Sequence, residues 1–402
     1  MSTVLKGIRV LDFGRYIAGP FCAALLADFG ADVIRIDRLG GGEDRFIMPV
    51  TDAGEGALFL QVNRNKRSIA LDIDCPQGRA IVRRLVQTAD VVVVNMPPQT
   101  LVGLGLDYAT LSAIRPDIIL TTVSAYGGDG ADSRRLGFDG VGQVMSGAVH
   151  LCGPPQVPTK ANVPVVDFST ALSCALGTMA ALYERRASGR GQLVEASLLH
   201  TALNLASGYL LEEAALGKRR ESTGNRSPIC GPSDIFRVTD GWIIVQVLGQ
   251  AQFKRWTQLV GKPELFGEAR FKDDQARGDN GEELSALMAQ WCASRSRQEA
   301  LQALEQARIP AGPVNSPRQA LADPHIQASG FLHSMDYPGL PRPAPLVTPP
   351  ARLSRNPPEI RHRAPTTGEH TDEVLAEIGC SADEIAALRR VGVVGSGSSA
   401  AG

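Results

Sequence analysis

The stretch LKGIRVLDFGRYIAGPFCAALLADFGADVIRIDR, from Leu5 to Arg38, predicts the fold class. It holds a run rich in β-branched residues at Ile8–Leu11, a helical pattern at Pro20–Phe29 and a second β-branched run at Val33–Ile36. A strand, a helix and a strand in this order are typical of a βαβ unit with parallel strands. The stretch therefore predicts a parallel sheet covered by helices.

The segment Gly14–Gly19 connects the first strand to the first helix, because the fixed φ of Pro20 suits the first helical turn. Open α/β sheets bind ligands at such strand-to-helix loops. The segment lacks the GxGxxG spacing of dinucleotide-binding loops, and no GxxxxGK followed by Ser or Thr occurs in the chain. NAD and ATP chemistry are therefore disfavoured.

The same alternation continues along the first half of the chain. A helical pattern at Gly78–Thr88 precedes strand-like runs at Val91–Val94 and Ile118–Val123. A long helix is predicted to start with Asp167 as its N-cap residue and to stop at Gly189. The pattern predicts an α/β fold, a Rossmann-like large domain with a mostly parallel sheet.

A second, smaller domain is predicted after the polar segment Gly217–Pro232. It combines a hairpin around the turn Thr239–Gly241 with several helical patterns and ends near Pro317, which is typical of an α+β domain. The Pro-rich run Tyr337–Pro358 that follows is typical of an extended linker.

Composition and charge are those of an ordinary soluble globular protein. The 402 residues are 44% hydrophobic and 21% charged, and a formal net charge of -1 offers no field to attract nucleic acid or a membrane. Export is not expected from the N-terminal pattern, and the longest apolar run, Ala171–Tyr183, is shorter than the roughly 20 residues of a membrane span. Seven scattered cysteines without a CxxC pair predict reduced thiols and no metal site. We therefore expect a cytoplasmic protein with small-molecule partners.

Further segments carry a family resemblance. They are NRNKRSIALDI from Asn63, GFDGVGQVMSG from Gly137, IPAGPVNS from Ile309 and GEHTDEVL from Gly368. Together with the opening stretch and the helix at Asp167, their order and spacing resemble class III CoA-transferases along the whole chain. This superfamily includes formyl-CoA transferase, carnitine CoA-transferase and α-methylacyl-CoA racemase.

The resemblance implies an architecture and a substrate class. Two subunits would form an interlocked homodimer, each with a large α/β domain that contains both chain termini. The expected division is a first part of the large domain at 1–216, a small middle domain with its linker at 217–317, and a return linker with the rest of the large domain at 318–402. The substrates would be a coenzyme A thioester and a small carboxylic acid, and no tightly bound cofactor is expected.

Asp167 coincides with the nucleophilic aspartate of this family. A helix N-cap is an alternative role for an aspartate at this position, and the two roles are compatible because a helix N-terminus helps to keep a carboxylate ionised. The resemblance implies that Asp167 attacks the donor thioester to give a mixed anhydride and then an aspartyl-CoA thioester, which the acceptor acid reverses. Gln143 and the main chain near Ala18 would stabilise the developing charge.

The resemblance also implies which residues lie along the coenzyme: Arg15, Ile17, Ala18, Arg38, Lys66, Asn95, Met96 and Tyr126. Arginine side chains suit phosphate groups. Ordinary roles remain open: Arg38 as a solvated charge at a strand end, Asn95 as a turn residue, Tyr126 as a core residue. Many relatives carry an arginine at the position of Gly103. The contact that this arginine implies with a phosphate of the coenzyme has no counterpart at Gly103.

Two alternatives to CoA transfer are a 2-methylacyl-CoA racemase and a non-catalytic CoA-binding protein. A racemase needs a second acid/base group, and its motif has a histidine where this chain has Phe138. The chain also lacks the run of four glycines of oxalate-using relatives. Asn225 and Arg226 could hold a second carboxylate, which favours short dicarboxylate acceptors with a succinyl-CoA-like donor.

Overall fold

The computed structural model describes residues 4–395, which form two compact units. The first unit comprises the described parts of Met1–Ser146, Ala161–Leu205 and Gln327–Gly402. The second unit comprises Gly147–Lys160 and Ala206–Ile326. The division at 216/217 and 317/318 drawn from the sequence is a different partition and stays a prediction.

A six-stranded sheet, in which every neighbouring pair is parallel, forms the centre of the first unit. Its strands are β1 (Arg9–Asp12), β2 (Asp32–Asp37), β3 (Lys66–Ala70), β4 (Val91–Val94), β5 (Ile119–Ser124) and β6 (Leu193–Ser197). Their spatial order is β3-β2-β1-β4-β5-β6. This is the order of a doubly wound fold, so the predicted Rossmann-like α/β class is confirmed.

Helices connect these strands. They are α1 (Ala18–Asp28), α2 (Ala57–Val62), α3 (Pro76–Thr88), α4 (Pro98–Leu104), α5 (Tyr108–Ile114), α6 (Asp139–Met145), α7 (Val165–Ser188) and α8 (Leu198–Leu205). Short 3-10 turns occur at Glu43–Phe46 in the first unit and at Val149–Leu151 in the second.

The four valines of β4 show how the sheet is buried on both faces. All are fully buried; Val91 and Val93 join the apolar cluster that contains α1 and α7, whereas Val92 and Val94 join the cluster of α3 and α5. Side chains alternate between the two faces of a strand. A continuous apolar run therefore specifies a strand covered by helices on both sides.

Helix α7 is long and apolar enough to cross a membrane by length and composition. In the first unit, however, the face that carries Ala171, Cys174 and Ala181 packs in the same core as α1. The opposite face exposes Leu176 by 73% and Tyr183 by 79%. The predicted buried helix is therefore buried along one face.

The second unit contains an antiparallel sheet of β7 (Ser233–Val238), β8 (Gly241–Gln246) and β9 (Ala311–Pro313). Its helices are α9 (Ser207–Leu216), α10 (Gly249–Leu259), α11 (Asp274–Asp279), α12 (Gly281–Cys292), α13 (Arg297–Gln306) and α14 (Pro317–Ala322), with 3-10 turns at Pro263–Gly267 and Ala269–Phe271. Phe253, Trp256 and Met288 are fully buried in its core. The predicted hairpin and α+β character are confirmed.

The remaining elements follow in chain order. They are α15 (Pro324–Ala328), β10 (Leu332–Met335), β11 (Ala344–Val347), α16 (Thr371–Glu377) and α17 (Ala382–Arg390). Strands β10 and β11 pair antiparallel, so the stretch predicted as extended linker contains β11, the second strand of a β-hairpin. Val374 and Ile385 bring α16 and α17 into the cluster of α3 and α5.

Candidate active site

A cavity of about 310 Å³ lies in the first unit, at the carboxyl ends of β1, β4 and β5. Its lining includes Arg15, Tyr16, Ala18, Arg38, Asn95, Met96, Ser124, Phe138 and Asp167. Strands β1 and β4 are neighbours in the sheet although β2 and β3 lie between them in the chain. The cavity thus lies at the switch point where doubly wound sheets bind ligands.

Asn95 holds the loop that follows β1. Its Oδ1 accepts a hydrogen bond from the N–H of Arg15 at 2.7 Å, and its Nδ2 donates to the Arg15 carbonyl at 2.6 Å. Asp12 Oδ1 accepts from the N–H of Gly14 at 2.8 Å, and a Cβ on Gly14 would lie 2.7 Å from that oxygen. The tight path therefore requires glycine, and it places Tyr16, at φ 63°, on the cavity wall.

A buried charge network lies beneath this loop. Lys66 Nζ donates to Asp12 Oδ2 at 2.7 Å and to Asn63 Oδ1 at 2.8 Å, and the Lys66 and Asp12 side chains are fully buried. Arg35 Nη1 donates to the carbonyl of Gly14 at 3.1 Å. Lys66 therefore supports the loop from below and is absent from the lining of the cavity, and its implied position at the nucleotide stays a prediction.

Asp167 is the third residue of α7 and lines the cavity. The N-cap position belongs to Pro164, so the predicted N-cap role of Asp167 is wrong. The capping carboxylate is that of Asp139, at the start of α6. Its Oδ2 accepts hydrogen bonds from the N–H of Val166 at 2.7 Å and of Asp167 at 3.0 Å. Asp139 thus takes over the capping of α7.

The surroundings of Asp167 make its carboxyl group unusually basic. Burial, followed by the negative charge of Asp139, raises the pKa of Asp167 to about 7. We expected the N-terminus of α7 to keep this carboxylate ionised, but Asp139 accepts the hydrogen bonds there. Above about pH 7 the side chain is a carboxylate, and the higher basicity makes it a stronger nucleophile than an ordinary aspartate.

Gln143 is buried and is absent from the cavity lining. Its Nε2 donates to Asp139 Oδ1 and to the carbonyl of Ala161 at 3.2 Å, while its Oε1 accepts from the N–H of Ala161 at 2.9 Å. Both ends of the amide are therefore engaged within the protein, and the implied role of Gln143 as an oxyanion donor stays a prediction. Ala18, the first residue of α1, does line the cavity, and the first N–H groups of a helix have no partner within the helix.

Two exposed arginines line the cavity. The side chain of Arg38 is 66% exposed and its Nη1 lies 3.2 Å from Glu43 Oε1. The side chain of Arg135 is 61% exposed, lies 3.1 Å from Asp132 Oδ2 and stacks over the ring of Tyr126 at 5.2 Å. These side chains give the cavity exposed positive charge that suits an anionic ligand.

A larger cavity of about 560 Å³ adjoins the first and shares Arg15, Arg38, Glu43 and Met96 with it. It extends along the residues that follow β3, including Asp72 and Asp74. The two cavities therefore offer a continuous path for an extended ligand, from Asp167 past the ends of β1 and β4 towards the end of β3.

The structure brings most of the sequence-predicted site residues together. Those that line the cavity with Asp167 are Arg15, Ala18, Arg38, Asn95 and Met96. Ile17, Lys66 and Gln143 are buried and absent from the lining. Tyr126 is half-buried and is also absent from the lining. Arg226 lies in the second unit, where its Nη1 donates to the carbonyl of Gly278 at 3.2 Å.

Sequence reasoning missed Tyr16, Arg135 and Phe138 as lining residues. Phe138 is 63% exposed, and its ring meets that of Tyr16 edge to face at 5.3 Å. The sequence feature that could have indicated Phe138 is its position in the GFDG segment, directly before Asp139. Arg135 lies on a loop without regular periodicity, so no pattern pointed to it. Among residues 4–395, no three His, Cys, Asp or Glu side chains are grouped so as to hold a metal ion.

Comparison with known proteins gives a consistent result. Residues 5–371 match the family described as CoA-transferase family III. The chain is 33% identical to succinyl-CoA–D-citramalate CoA-transferase of Chloroflexus aurantiacus, over 97% of this chain and 98% of that protein. It is 32% identical to succinate–glutarate CoA-transferase of Agrobacterium fabrum, over 93% and 95%. The crystal structure of a CAIB/BAIF family protein from Brucella suis superposes with a TM-score of 0.82 at 32% identity, covering 94% of this chain and 100% of that one.

Proposed function

The chain belongs to CoA-transferase family III, and we propose on this premise that it moves CoA from a succinyl-CoA-like donor to a short dicarboxylic acid, with Asp167 as the acyl carrier. The observation that carries the proposal is the half-buried Asp167 carboxyl group on the wall of a cavity at the switch point of the sheet. The reaction needs a carboxylate that can form and release acyl bonds, and no metal ion enters the scheme.

The steps exchange one activated acyl group for another. An oxygen of the Asp167 carboxylate attacks the thioester carbon of the donor, and the CoA thiolate leaves, giving a mixed anhydride. The thiolate then attacks the Asp167 carbonyl carbon and releases the donor acid, which leaves an aspartyl-CoA thioester. The acceptor carboxylate attacks the carbonyl carbon of this thioester, which forms a second anhydride and releases the CoA thiolate. The thiolate then attacks the acceptor carbonyl of the anhydride, which gives the acceptor acyl-CoA and regenerates the Asp167 carboxylate.

Two features of the cavity support these steps. Ala18, the first residue of α1, lines the same cavity as Asp167, and a helix N-terminus stabilises negative charge. The pKa of Asp167, at about 7, leaves the carboxylate available in neutral and weakly basic solution. Asn95 holds the intervening loop through its two hydrogen bonds to the backbone of Arg15.

Arg38 is proposed to hold the nucleotide end of the coenzyme, since it is exposed and lines both cavities. Arg38→Ala is expected to raise the KM for the CoA donor, because it removes about 1.5–3 kcal/mol of binding free energy, the range for a hydrogen bond to a charged group. The KM for the acceptor acid should change far less. Steady-state kinetics with each substrate varied in turn measures both values.

The matched control for this prediction is Arg186→Ala, which removes an exposed arginine from the last turn of α7, outside both cavities. Its KM for the donor should stay at the wild-type value. Equal increases for donor and acceptor in Arg38→Ala would reject the assignment of Arg38 to the coenzyme.

The names of the relatives support dicarboxylate acceptors. They include transferases for citramalate, glutarate, malate and mesaconate, all with succinate or succinyl-CoA as the other partner. A mass-spectrometric screen should offer succinyl-CoA and acetyl-CoA to these acids and to itaconate. We expect a new acyl-CoA from at least one dicarboxylate. CoA binding by calorimetry without transfer to any acid would favour a non-catalytic CoA-binding protein.

A racemase is the alternative within the superfamily, but the residues that line the cavity do not favour this activity. The residue before Asp139 is Phe138, whose phenyl ring lines the cavity and cannot exchange a proton. Incubation of a 2-methylacyl-CoA in deuterated water would show deuterium at the α-carbon if the chain were a racemase. We expect no such exchange.

A homodimer is also proposed, and the exposed face of α7 supports it. Leu172, Leu176 and Tyr183 lie on one face of the helix and are exposed by 44%, 73% and 79%, and contiguous exposed apolar residues are typical of association surfaces. Light scattering at micromolar concentration should give twice the 42.7 kDa chain mass. Leu176→Glu should weaken the association, and a monodisperse wild-type monomer would contradict the proposal.

A further inference from the structure

Asp139 forms a hydrogen bond with the backbone of the candidate nucleophile, Asp167, although the two residues are far apart in the sequence. Its Oδ2 accepts hydrogen bonds from the N–H of Val166 at 2.7 Å and from the N–H of Asp167 itself at 3.0 Å. Its other oxygen, Oδ1, accepts from Gln143 Nε2. Since Pro164 at the N-cap position gives no side-chain hydrogen bond, the start of α7 is capped by a carboxylate from a different helix.

The packing of α6 on α7 fixes this carboxylate. A Cβ on Gly142 would lie 2.9 Å from Val166 Cγ1 and 3.1 Å from the carbonyl oxygen of Leu198, so only glycine lets α6 approach this closely. Asp139 is 8% exposed and Gln143 is 6% exposed. The Gln143 amide is itself held by Ala161 at both ends. The charge of Asp139 is therefore little screened by water and cannot turn away.

We propose that Asp139 is a positioning residue that both orients Asp167 and favours its acylated states over its free carboxylate. The proposal rests on the proposed function, because it concerns the aspartyl anhydride and thioester. Asp139 occupies the hydrogen bonds and the positive end of α7 that would otherwise stabilise a charge on Asp167. Two neighbouring carboxylates also repel each other when both are ionised.

Acylation removes this repulsion. The Asp167 carboxylate carries a negative charge, whereas the anhydride and the thioester formed on it are neutral, and the charge leaves with the CoA thiolate or the released acid. The partly buried site therefore destabilises the charged, free carboxylate, but it does not destabilise the neutral covalent intermediates. Burial and Asp139 act in the same direction, and together they raise the pKa of Asp167 to about 7.

The other charged groups that line the cavity have partners of their own. Arg15 donates to the carbonyls of Phe13, Gly14 and Ile36 at 2.9 to 3.3 Å. Arg38 and Glu43 pair with each other, and Arg135 pairs with Asp132. The titratable hydroxyl of Tyr16 also belongs to the lining. Asp139 is thus the charged group that directly hydrogen-bonds the backbone of the nucleophile.

The test compares Asp139→Asn with the wild type. An Asn oxygen can still accept from the N–H groups of Val166 and Asp167, but the side chain has no charge. The acidic limb of the pH profile of kcat/KM for succinyl-CoA reports the pKa of the free enzyme. It should move to lower pH by about one pH unit, because removing a like charge favours the ionised form of Asp167. The equilibrium ratio of aspartyl adduct to free enzyme should fall by about tenfold, which corresponds to the same free-energy change.

Gln143→Leu is the matched control. It removes the hydrogen bond to Asp139 and disturbs the same contact, but it keeps the charge of Asp139, so the acidic limb should not move to lower pH. Asp139→Ser is a second uncharged variant for the case that Asp139→Asn folds poorly, and its limb should move in the same direction. Circular dichroism checks the fold of all three.

An unchanged acidic limb in a folded, uncharged variant would overturn the inference and assign Asp139 a purely structural role. This result is distinguishable from a failure of the proposed function. If wild-type enzyme treated with succinyl-CoA and hydroxylamine gives no modification on the peptide that contains Asp167, the covalent scheme itself is wrong. If that peptide is modified equally in the wild type and in Asp139→Asn, only the role of Asp139 is rejected.

Discussion

Asp167→Asn is expected to lower CoA transfer to the background rate while the protein stays folded. An amide cannot form the anhydride that the proposed reaction requires, so the whole covalent route is lost. The structure gives a reason for the folding to survive: the capping hydrogen bonds of α7 belong to Asp139, and they use the N–H of residue 167, which the substitution keeps. Turnover of succinyl-CoA with a dicarboxylate acceptor, measured by mass spectrometry, tests this loss.

The control is the same chemical change at a carboxylate outside the cavity. Asp117 pairs with Arg115 at 2.9 Å and lines none of the described cavities around Asp167, so Asp117→Asn should retain turnover. In the wild type, hydroxylamine should modify the Asp167 peptide and leave the neighbouring Asp139 unmodified. More than a few per cent of activity in Asp167→Asn after deamidation is excluded, or a label on Asp139, would show that the mechanism is wrong.

The largest loss of stability is expected from Asp37→Ala. The Asp37 carboxylate accepts from Arg35 Nε at 2.9 Å, from Arg45 Nη2 at 2.5 Å and from Ser68 Oγ at 2.7 Å, and its side chain is fully buried. The substitution leaves both guanidinium groups buried without this counter-charge. Removing one partner of a buried ion pair costs about 3–5 kcal/mol of the free energy of unfolding. Urea denaturation of purified protein measures it.

The matched control is Glu373→Ala. Glu373 also pairs with an arginine, Arg67, at 2.8 Å, but its side chain is 58% exposed and Arg67 keeps Asp32 and Glu377 as partners. Exposed pairs contribute about 0–1 kcal/mol. A loss below about 1 kcal/mol for Asp37→Ala, no larger than that of the control, would mean that water or a rearranged partner replaces the carboxylate.

The pH dependence of this contribution has a definite sign. Burial alone would raise the pKa of Asp37, but the charges of Arg35 and Arg45 outweigh it and hold the pKa well below its usual range. A carboxyl group whose pKa is lowered on folding stabilises the protein above its unfolded pKa, about 3.9 for aspartate. The stabilisation is therefore present at neutral pH, and it decreases as the pH falls below that value.

The sequence by itself indicated most strands of the first unit, although not β3 (Lys66–Ala70), and the position of the candidate nucleophile. Val91–Val94 is a continuous apolar run, and Gly14–Gly19 with Pro20 marks the turn into α1. These are properties of residues close together in the chain, so they can be recognised without knowing what packs against them. The choice of Asp167 came from the order of several segments that resemble one family.

The tertiary structure alone decided which polar side chains face the cavity and which are buried. Lys66 carries the same charge as a phosphate-binding lysine, but Asp12, 54 residues earlier, holds it beneath the loop. The cap of α7 comes from Asp139, 28 residues before Asp167, and Gln143 is engaged by Asp139 and Ala161. The energy of a buried polar group depends on the partners that other segments bring to it, and hydrophobic periodicity carries no information about those partners.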